Sequence, residues 1–206
     1  QRREKGRKGI YDLSACSPDI IQLIPMLKGK TKTIILKTSP VLDIQKAIET
    51  LGFVKEVHVV GWGGDCKEVL YLLDMAVQPD AGAVRIIAVE LDDAGVPKTR
   101  FEYGFTDEAR AAVQFALPQT YLYEPSAAFM KAGGFKSMAA FYGLKKLHPS
   151  THLYTSESVQ HDFCGKIYKI LDIVNPKADQ MVIKNAELVL RNFPGEVVGL
   201  RKKLKL

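Results

Sequence analysis

The apolar positions in the first half of the chain alternate between strand and helix periods. Residues 33–36 form a β-branched apolar run, which predicts a strand that is covered on both faces. The polar turn 37–40 follows this run. Ser39 is expected to cap a helix with Pro40 in its first turn, and Gly52 is expected to end that helix. The predicted buried face of the helix consists of Ile44, Ala47, Ile48 and Leu51.

The same signals predict further elements on both sides of this unit. The sequence 17–19, Ser-Pro-Asp, repeats the helix-start pattern, and Gly29 is expected to end that first helix. Its predicted apolar face consists of Ile20, Leu23, Ile24 and Leu27. Downstream, the pattern predicts a strand over 54–60, a glycine-rich turn over 61–64, a helix over 67–75 and a strand over 84–91. This order is typical of half of a doubly wound α/β sheet, although the last strand could also run antiparallel.

The second half of the chain has shorter elements. Residues 96–118 mix charged and small residues and predict a connector with one helix over 107–115. The remaining pattern predicts strands over 121–123, 153–155 and 167–173, and helices over 127–133 and 196–206. Short strands separated by single helices favour a small α+β region of ferredoxin-like style. The predicted fold class is therefore α/β, with an α+β region following the larger sheet.

Composition narrows the class of protein. The chain has 206 residues, of which 47% are hydrophobic and 25% are charged, and these values are ordinary for a globular protein. Its net charge of +6 either reflects a solvated lysine surplus or points to a polyanionic partner, RNA or DNA. The three cysteines and four histidines have no metal-site spacing, so no metal is expected. With no secretory signal and no membrane-length apolar run, the chain is expected to be cytoplasmic and not to bind membranes.

Candidate chemistry lies at the end of the first strand. Lys37, Ser39 and Pro40 follow a strand, and ligands of open α/β sheets bind at the carboxyl ends of strands. Tyr11 and Ser17 are expected in the neighbouring turn. The alternative is that Ser17 and Ser39 act only as helix caps, which would explain both residues.

Basic residues cluster in the second half. Cations of this kind position a phosphate backbone, and aromatic side chains such as Phe141 and Tyr142 stack on unpaired bases. The alternative for the C-terminal run is a solvated helix face. The candidate RNA-binding cations are Arg2 and Arg3 near the start of the chain and, in the second half, Lys131, Lys136, Arg191, Arg201, Lys202, Lys203 and Lys205.

Several long runs resemble one family. These runs are RREKGRKGIYDLSACSPDI, ILKTSPVLDI, VKEVHVVG, CKEVLYLL, YLYEPSAAFMKAGGF, KLHPSTHLYTS and RNFPGEVVGLRKKLKL. Together they resemble the C-terminal portion of class I S-adenosylmethionine-dependent methyltransferases of a bacterial family, found notably in Bacteroidetes, that carries a THUMP-like domain. The resemblance covers nearly the whole chain.

The resemblance implies a division of the chain and of its active site. Residues 1–95 would be the C-terminal half of a Rossmann-like methyltransferase domain, 96–118 a connector, 119–160 a ferredoxin-like segment and 161–206 a THUMP-like domain that continues past Leu206. The family's Asp-Pro motif and cofactor-binding glycine loop would lie before Gln1. The chain would then contribute one wall of the active site, consisting of Arg2, Arg3, Lys37, Ser39 and Pro40.

The resemblance also implies partners. The full-length protein would use S-adenosylmethionine and act on RNA, whereas this fragment alone would hold no cofactor and would be inactive. Two other function classes stay open at this point, a non-catalytic RNA-binding module and a protein-interaction domain. The sequence does not indicate an oligomeric state.

Overall fold

The computed structural model describes residues 13–76, 80–181 and 185–206. Within these ranges the chain forms a mixed α/β fold with two sheets. The helices are α1 (Ile20–Lys28), α2 (Ile44–Leu51), α3 (Phe105–Arg110), α4 (Ala127–Ala132), α5 (Phe135–Tyr142) and α6 (Val197–Leu204). The strands are β1 (Thr33–Thr38), β2 (Val54–Trp62), β3 (Asp65–Asp74), β4 (Arg85–Leu91), β5 (Pro97–Gly104), β6 (Tyr121–Pro125), β7 (Lys145–His148), β8 (Thr151–Ser156) and β9 (Gly165–Lys169).

The first sheet has the strand order β1-β3-β2-β4-β5. Strand β4 runs parallel to β2, and the other neighbouring pairs are antiparallel. Strands β1 and β2 both run antiparallel to β3, so β1, β2 and β4 point in the same direction. The carboxyl ends of these three strands therefore lie along the same edge of the sheet.

Strand β3 replaces the helix that we predicted over residues 67–75. Gly63 and Gly64 have φ values of +61° and +82°, and two successive positive φ values are typical of the tight turn of a β-hairpin. Val69, Tyr71 and Leu73 are fully buried at every second position, which is the period of a strand. The helix prediction was wrong because a short apolar run fits both periods, and pairing with β1 and β2 decides between them.

The helix starts also differ from the predictions. Asp43, not Ser39, caps α2, because its side chain accepts a hydrogen bond from the backbone N–H of Lys46 at 2.8 Å. In α1 the cap is Asp19 rather than Ser17. The predicted buried face of α2 and its end at Gly52 are confirmed.

Strand β1 lies at an edge of the sheet, and the expectation that it is covered on both faces was wrong. Among the described residues β1 pairs with β3 alone, and the Ile35 side chain is 69% exposed. In β2 and β4, by contrast, Val57, Val59 and Ile86 are fully buried. The opposite face of the sheet carries ion pairs between neighbouring strands, for example between Arg85 and Glu102 at 2.7 Å.

The segment predicted as a connector also contributes to the first sheet. Strand β5 pairs with β4, and α3 begins at Phe105 and ends at Arg110, whereas the predicted helix covered 107–115. Asp107 lies in the first turn of α3, where its carboxylate accepts a hydrogen bond from the Gly104 N–H at 2.8 Å. This contact places the start of the helix before the acidic residues rather than at them.

The second sheet has the order β7-β8-β6-β9 and is antiparallel throughout. The predicted strands over 121–123 and 153–155 correspond to β6 and β8, and the predicted C-terminal helix corresponds to α6. Helix α5 and strand β7 were not predicted. The strand predicted over 167–173 is shorter and earlier, at Gly165–Lys169.

The two sheets share one hydrophobic core, because α4 leaves β6 and packs on β2, β3 and β4 of the first sheet. The Phe129 ring stacks on Phe101 of β5 with a centroid distance of 5.9 Å. The Tyr103 hydroxyl donates a hydrogen bond to the carbonyl oxygen of Ala132 at 2.5 Å. In the part of the chain that the structure describes, no helix is both long enough and apolar enough to cross a membrane.

Candidate functional site

The predicted strand-end residues Lys37, Ser39 and Pro40 are not among those that line the cavity described below. The Lys37 amine forms an ion pair with Glu68 on β3 at 3.0 Å, and the Lys37 side chain is 65% exposed. The Ser39 hydroxyl accepts a hydrogen bond from the Val41 N–H at 3.4 Å, and Pro40 is half-buried beside it. Ser17, also predicted near this site, is exposed ahead of α1, whereas Arg2, Arg3 and Tyr11 lie outside the described residues.

Of the seven RNA-binding cations predicted in the second half of the chain, four contact the protein itself. The Lys131 amine donates to the carbonyl oxygen of Leu42 at 2.7 Å, and the Lys136 amine donates to that of Ala109 at 3.0 Å. Arg191 pairs with Glu124, and Arg201 donates to the carbonyl oxygen of Ala186 at 3.2 Å. The remaining three, Lys202, Lys203 and Lys205, are exposed on α6 and directly after it.

A cavity of about 930 Å³ lies between the two sheets. On the first sheet it adjoins Gly64, in the turn between β2 and β3, and Glu90 near the end of β4, so it lies at the carboxyl ends of two parallel strands. On the other side it is bounded by the start of α4, by β8 and β9 and by the C-terminal segment. Its polar lining includes Glu90, Lys98, Thr99, Ser126, His152, Cys164, Lys166, Arg191 and Asn192.

Glu90 supplies a carboxylate to this cavity. Its Oε1 atom accepts a hydrogen bond from the Gly64 N–H at 3.2 Å, and its Oε2 atom is buried with no hydrogen-bond partner among the described residues. Gly61 leaves the space that the carboxylate occupies, since a Cβ at this position would lie 2.2 Å from Oε2 and 2.9 Å from the Cβ of Ala128. A carboxylate accepts about four hydrogen bonds, so Glu90 retains acceptor capacity.

Cys164 lies in the wall of the same cavity. The Thr99 hydroxyl donates to its sulfur at 2.8 Å, and the Ser126 oxygen lies 3.7 Å from it. Burial raises the pKa of the Cys164 thiol to about 11, and the contacts with Thr99 and Ser126 offset only part of this rise. The group is therefore a neutral thiol near pH 7, which does not favour a role as a nucleophile.

The rim of the cavity carries charges of both signs, with Lys98, Lys166 and Arg191 on one side of the balance and Glu124 and Glu187 on the other. Lys98 and Lys166 are exposed, and Arg191 is held by Glu124. Asn192 fixes the C-terminal segment to the second sheet, because its side-chain amide donates to the Ser150 carbonyl at 2.5 Å. The rim thus combines exposed charged side chains with an anchored segment.

His152 lies where the cavity meets a buried lysine. Its ring stacks on Phe135 with a centroid distance of 3.5 Å, and its Nδ1 lies 3.5 Å from the amine of Lys146. Lys146 is only 3% exposed and donates to the Pro149 carbonyl at 3.0 Å. Burial lowers the pKa of Lys146. Burial first, and then the charge of Lys146, lowers the pKa of His152, while Glu108 opposes the shift.

Replacing Lys146 with methionine is expected to raise the pKa of His152, because the variant removes the neighbouring positive charge. The measurement is a pH titration of the histidine Hε1–Cε1 signals by NMR, with His152→Gln to assign the signal. The control is Lys145→Met, which removes the same charge from the neighbouring position on β7. A pKa of His152 that is unchanged in Lys146→Met would contradict the described contact.

The sequence analysis did not identify Glu90 or Cys164 as site residues. It also did not identify the space beside Gly61 that the Glu90 carboxylate occupies. A usable signal was present for Glu90, since it is an acidic residue near the carboxyl end of the apolar strand predicted over 84–91. The sequence analysis predicts a ligand site at the end of the first strand, residues 37–40, and not at the end of this one. No signal existed for Cys164, which is far from Glu90 in sequence. Among residues 13–76, 80–181 and 185–206, no group of three metal-ligating side chains is close enough to hold a metal ion.

Comparison with known proteins relates this geometry to one solved structure. No curated protein matches the chain. Residues 121–163 match a family described as a ferredoxin-like domain. A crystal structure described as "putative methyltransferase from Porphyromonas gingivalis W83" is 32% identical with a TM-score of 0.85, over 94% of this chain and 50% of that chain. The chain is thus a mixed α/β protein with two sheets and a ferredoxin-like domain, and it spans half the length of the methyltransferase-like structure that it matches.

Proposed function

We propose that this chain is the C-terminal part of an S-adenosylmethionine-dependent methyltransferase that acts on RNA. The observation that carries the proposal is the similarity, over 94% of the chain, to half of a protein described as a methyltransferase. In this proposal the chain recognises and positions the RNA, and residues preceding it supply most of the cofactor site.

The topology of the first sheet supports a Rossmann-like origin for this part of the chain. Strands β1, β2 and β4 are parallel, and β1 is joined to β2 through α2, which is a crossover typical of α/β sheets. Among the described residues, β1 pairs on one side only, so its other edge has backbone groups available for a further strand. The first half of a methyltransferase sheet would join at this edge.

The glycine-rich stretch of the chain does not fit the cofactor. Gly63 and Gly64 form the turn of the hairpin between β2 and β3, whereas a loop that holds a nucleotide-like cofactor joins a strand to a helix. When bound, S-adenosylmethionine supplies an electrophilic methyl group to a nucleophilic nitrogen or oxygen. The contribution of this chain would be to hold the RNA in line with that group, which is catalysis by positioning.

Methyl transfer by the longer parent protein is the direct test. Incubation of that protein with tritiated S-adenosylmethionine and total RNA is expected to label the RNA, whereas incubation with this chain alone is expected to give no label. Failure of the parent protein to label RNA would reject the proposed activity. Binding of RNA without methyl transfer would favour the non-catalytic RNA-binding module instead.

Helix α6 carries exposed cations of the proposed RNA surface. Replacing Lys202 and Lys203 together with glutamine is expected to weaken binding of a single-stranded RNA to this chain and to lower the salt dependence of log K by roughly 1.4, since each phosphate contact on a single strand contributes about 0.7. Fluorescence anisotropy between 50 and 200 mM salt measures both quantities.

A matched control removes the same charge elsewhere. Lys30 and Lys32 are exposed in the connection between α1 and β1, away from α6 in sequence. The double variant Lys30→Gln/Lys32→Gln is expected to keep the affinity and the salt dependence of the original chain. Equal effects of the two double variants would show that only net charge matters and would contradict a specific role for α6.

A further inference from the structure

We propose that the cavity between the sheets binds a single nucleotide whose base carries an exocyclic amino group, with Glu90 accepting a hydrogen bond from that group. This proposal deepens the proposed function and rests on it for the source of the nucleotide, because it specifies which part of an RNA the chain recognises. Its basis is the combination of a carboxylate acceptor, apolar side chains and two exposed lysines in the lining of one cavity.

The dimensions and location of the cavity suit a nucleotide. Its volume of about 930 Å³ lies within the range of roughly 300–1,000 Å³ that small-molecule sites occupy. The cavity opens at the carboxyl ends of β2 and β4, which is where α/β sheets bind ligands. It also lies between two sheets, so a ligand would contact both parts of the fold at once.

The acceptor is the Glu90 carboxylate. It receives one hydrogen bond, from Gly64, and none of the described lysine or arginine side chains forms an ion pair with it. The Oε2 atom is closed off from solvent, so a donor on the ligand would reach the Oε1 atom, which accepts one hydrogen bond and has capacity for a second. Adenine, cytosine and guanine each present an amino group with donor hydrogens, whereas uracil has none.

The remainder of the lining matches the other parts of a nucleotide. Met130, Phe163 and Val189 supply apolar surface for a base, and Thr99 and Ser126, whose hydroxyls contact the Cys164 sulfur, also belong to the lining. Lys98 and Lys166 on the rim can reach a phosphate. The position of the carboxylate is maintained by Gly61, where any side chain would occupy its place.

The test measures binding of AMP, CMP, GMP and UMP, and of the RNA pentamers UUAUU and UUUUU, to this chain by isothermal titration and fluorescence anisotropy. Nucleotides with an amino group are expected to bind about tenfold or more tightly than UMP, which corresponds to one hydrogen bond to a charged group. Binding of the monophosphates would indicate free nucleotides as ligands, and binding of UUAUU alone would indicate a nucleotide within RNA. Equal binding of all the bases, or no binding of any probe, would overturn the proposal.

Two variants connect that preference to the cavity. Glu90→Gln is expected to abolish the preference for amino-bearing bases, whereas Glu68→Gln, on the opposite face of the sheet, is expected to retain it. Lys98→Gln/Lys166→Gln is expected to weaken binding of all the bases alike, and far-ultraviolet circular dichroism verifies that each variant is folded. A preference that is unchanged in folded Glu90→Gln would reject this site.

The proposed function would survive that result if RNA methylation by the parent protein persisted, and it would fail independently if methylation were absent.

Discussion

Replacing Phe129 with alanine is expected to lower the free energy of unfolding by about 3–5 kcal/mol. Phe129 is fully buried in α4 and stacks on Phe101 of the first sheet. Because α4 follows β6 of the second sheet and packs on the first, the cavity left by the substitution would weaken the contact between both sheets. The measurement is urea unfolding followed by circular dichroism and by tyrosine fluorescence.

The matched control is Phe141→Ala on the neighbouring helix α5. Phe141 contacts the same Phe101 ring, edge-on at 5.6 Å, but it is 65% exposed. Its loss is expected to cost about 1 kcal/mol or less, since little apolar area returns to water. If Phe129→Ala cost no more than Phe141→Ala, or if the two sheets unfolded in separate transitions, the shared core would be contradicted.

Replacing Gly165 with alanine is expected to cost about 3 kcal/mol, near the upper end of the usual range for overpacking. An added Cβ would lie 2.1 Å from the carbonyl oxygen of Glu124 and 2.9 Å from the Cα of Pro125. Both atoms belong to the backbone of β6, which pairs with β9 at Gly165, so neither can move without disturbing the ladder. Thermal unfolding and urea unfolding both measure the loss.

Replacing Gly199 with alanine is expected to have the opposite effect on stability. Gly199 lies inside α6, and an added Cβ would have no neighbouring atom within 4 Å. Alanine is favoured over glycine in a helix by about 0.5–1 kcal/mol, so this variant is expected to be slightly more stable than the original chain. A Gly165→Ala protein as stable as Gly199→Ala would show that β6 and β9 are not packed as closely as described.

The Gly165 variant also bears on the cavity, because Gly165 and Cys164 lie in its lining. Displacement of β9 would move Cys164 away from Thr99, whose hydroxyl donates to its sulfur.

Burial keeps the pKa of Cys164 at about 11, so stability from the neutral thiol is complete below about pH 9 and is lost as the pH rises through 11. The direction follows because a raised pKa means that the folded state binds the proton more tightly than the unfolded state does.

The sequence predicts those helices and strands in which the buried side chains recur at a regular spacing. The helical spacing of Ile44, Ala47, Ile48 and Leu51 identified α2, and all four are buried. The apolar runs also located β2 and β4 to within a few residues. In these segments the apolar residues at the periodic positions are also the ones that the fold buries. The pattern alone is therefore sufficient to predict the helix or strand.

The predictions of secondary structure were wrong where contacts with distant parts of the chain decide the conformation of a segment. The run Val69–Leu73 fits a helix or a strand, and only its pairing with β1 on one side and β2 on the other makes it β3. The start of α2 was placed at Ser39 because serine and proline are common there, but the turn extends to Asp43, which makes the capping hydrogen bond. Two competent capping residues within five positions cannot be ranked without the path of the chain.

The sequence by itself determined that the chain has an α/β first part, an α+β second part and an excess of positive charge, because these properties follow from local periodicity and composition. Only the tertiary structure decided where a ligand can bind. Gly64, Glu90 and Cys164 are widely separated along the chain and meet in one cavity because β2 and β4 run parallel and α4 packs across them. Such a meeting depends on contacts between distant segments, which no local pattern of residues encodes.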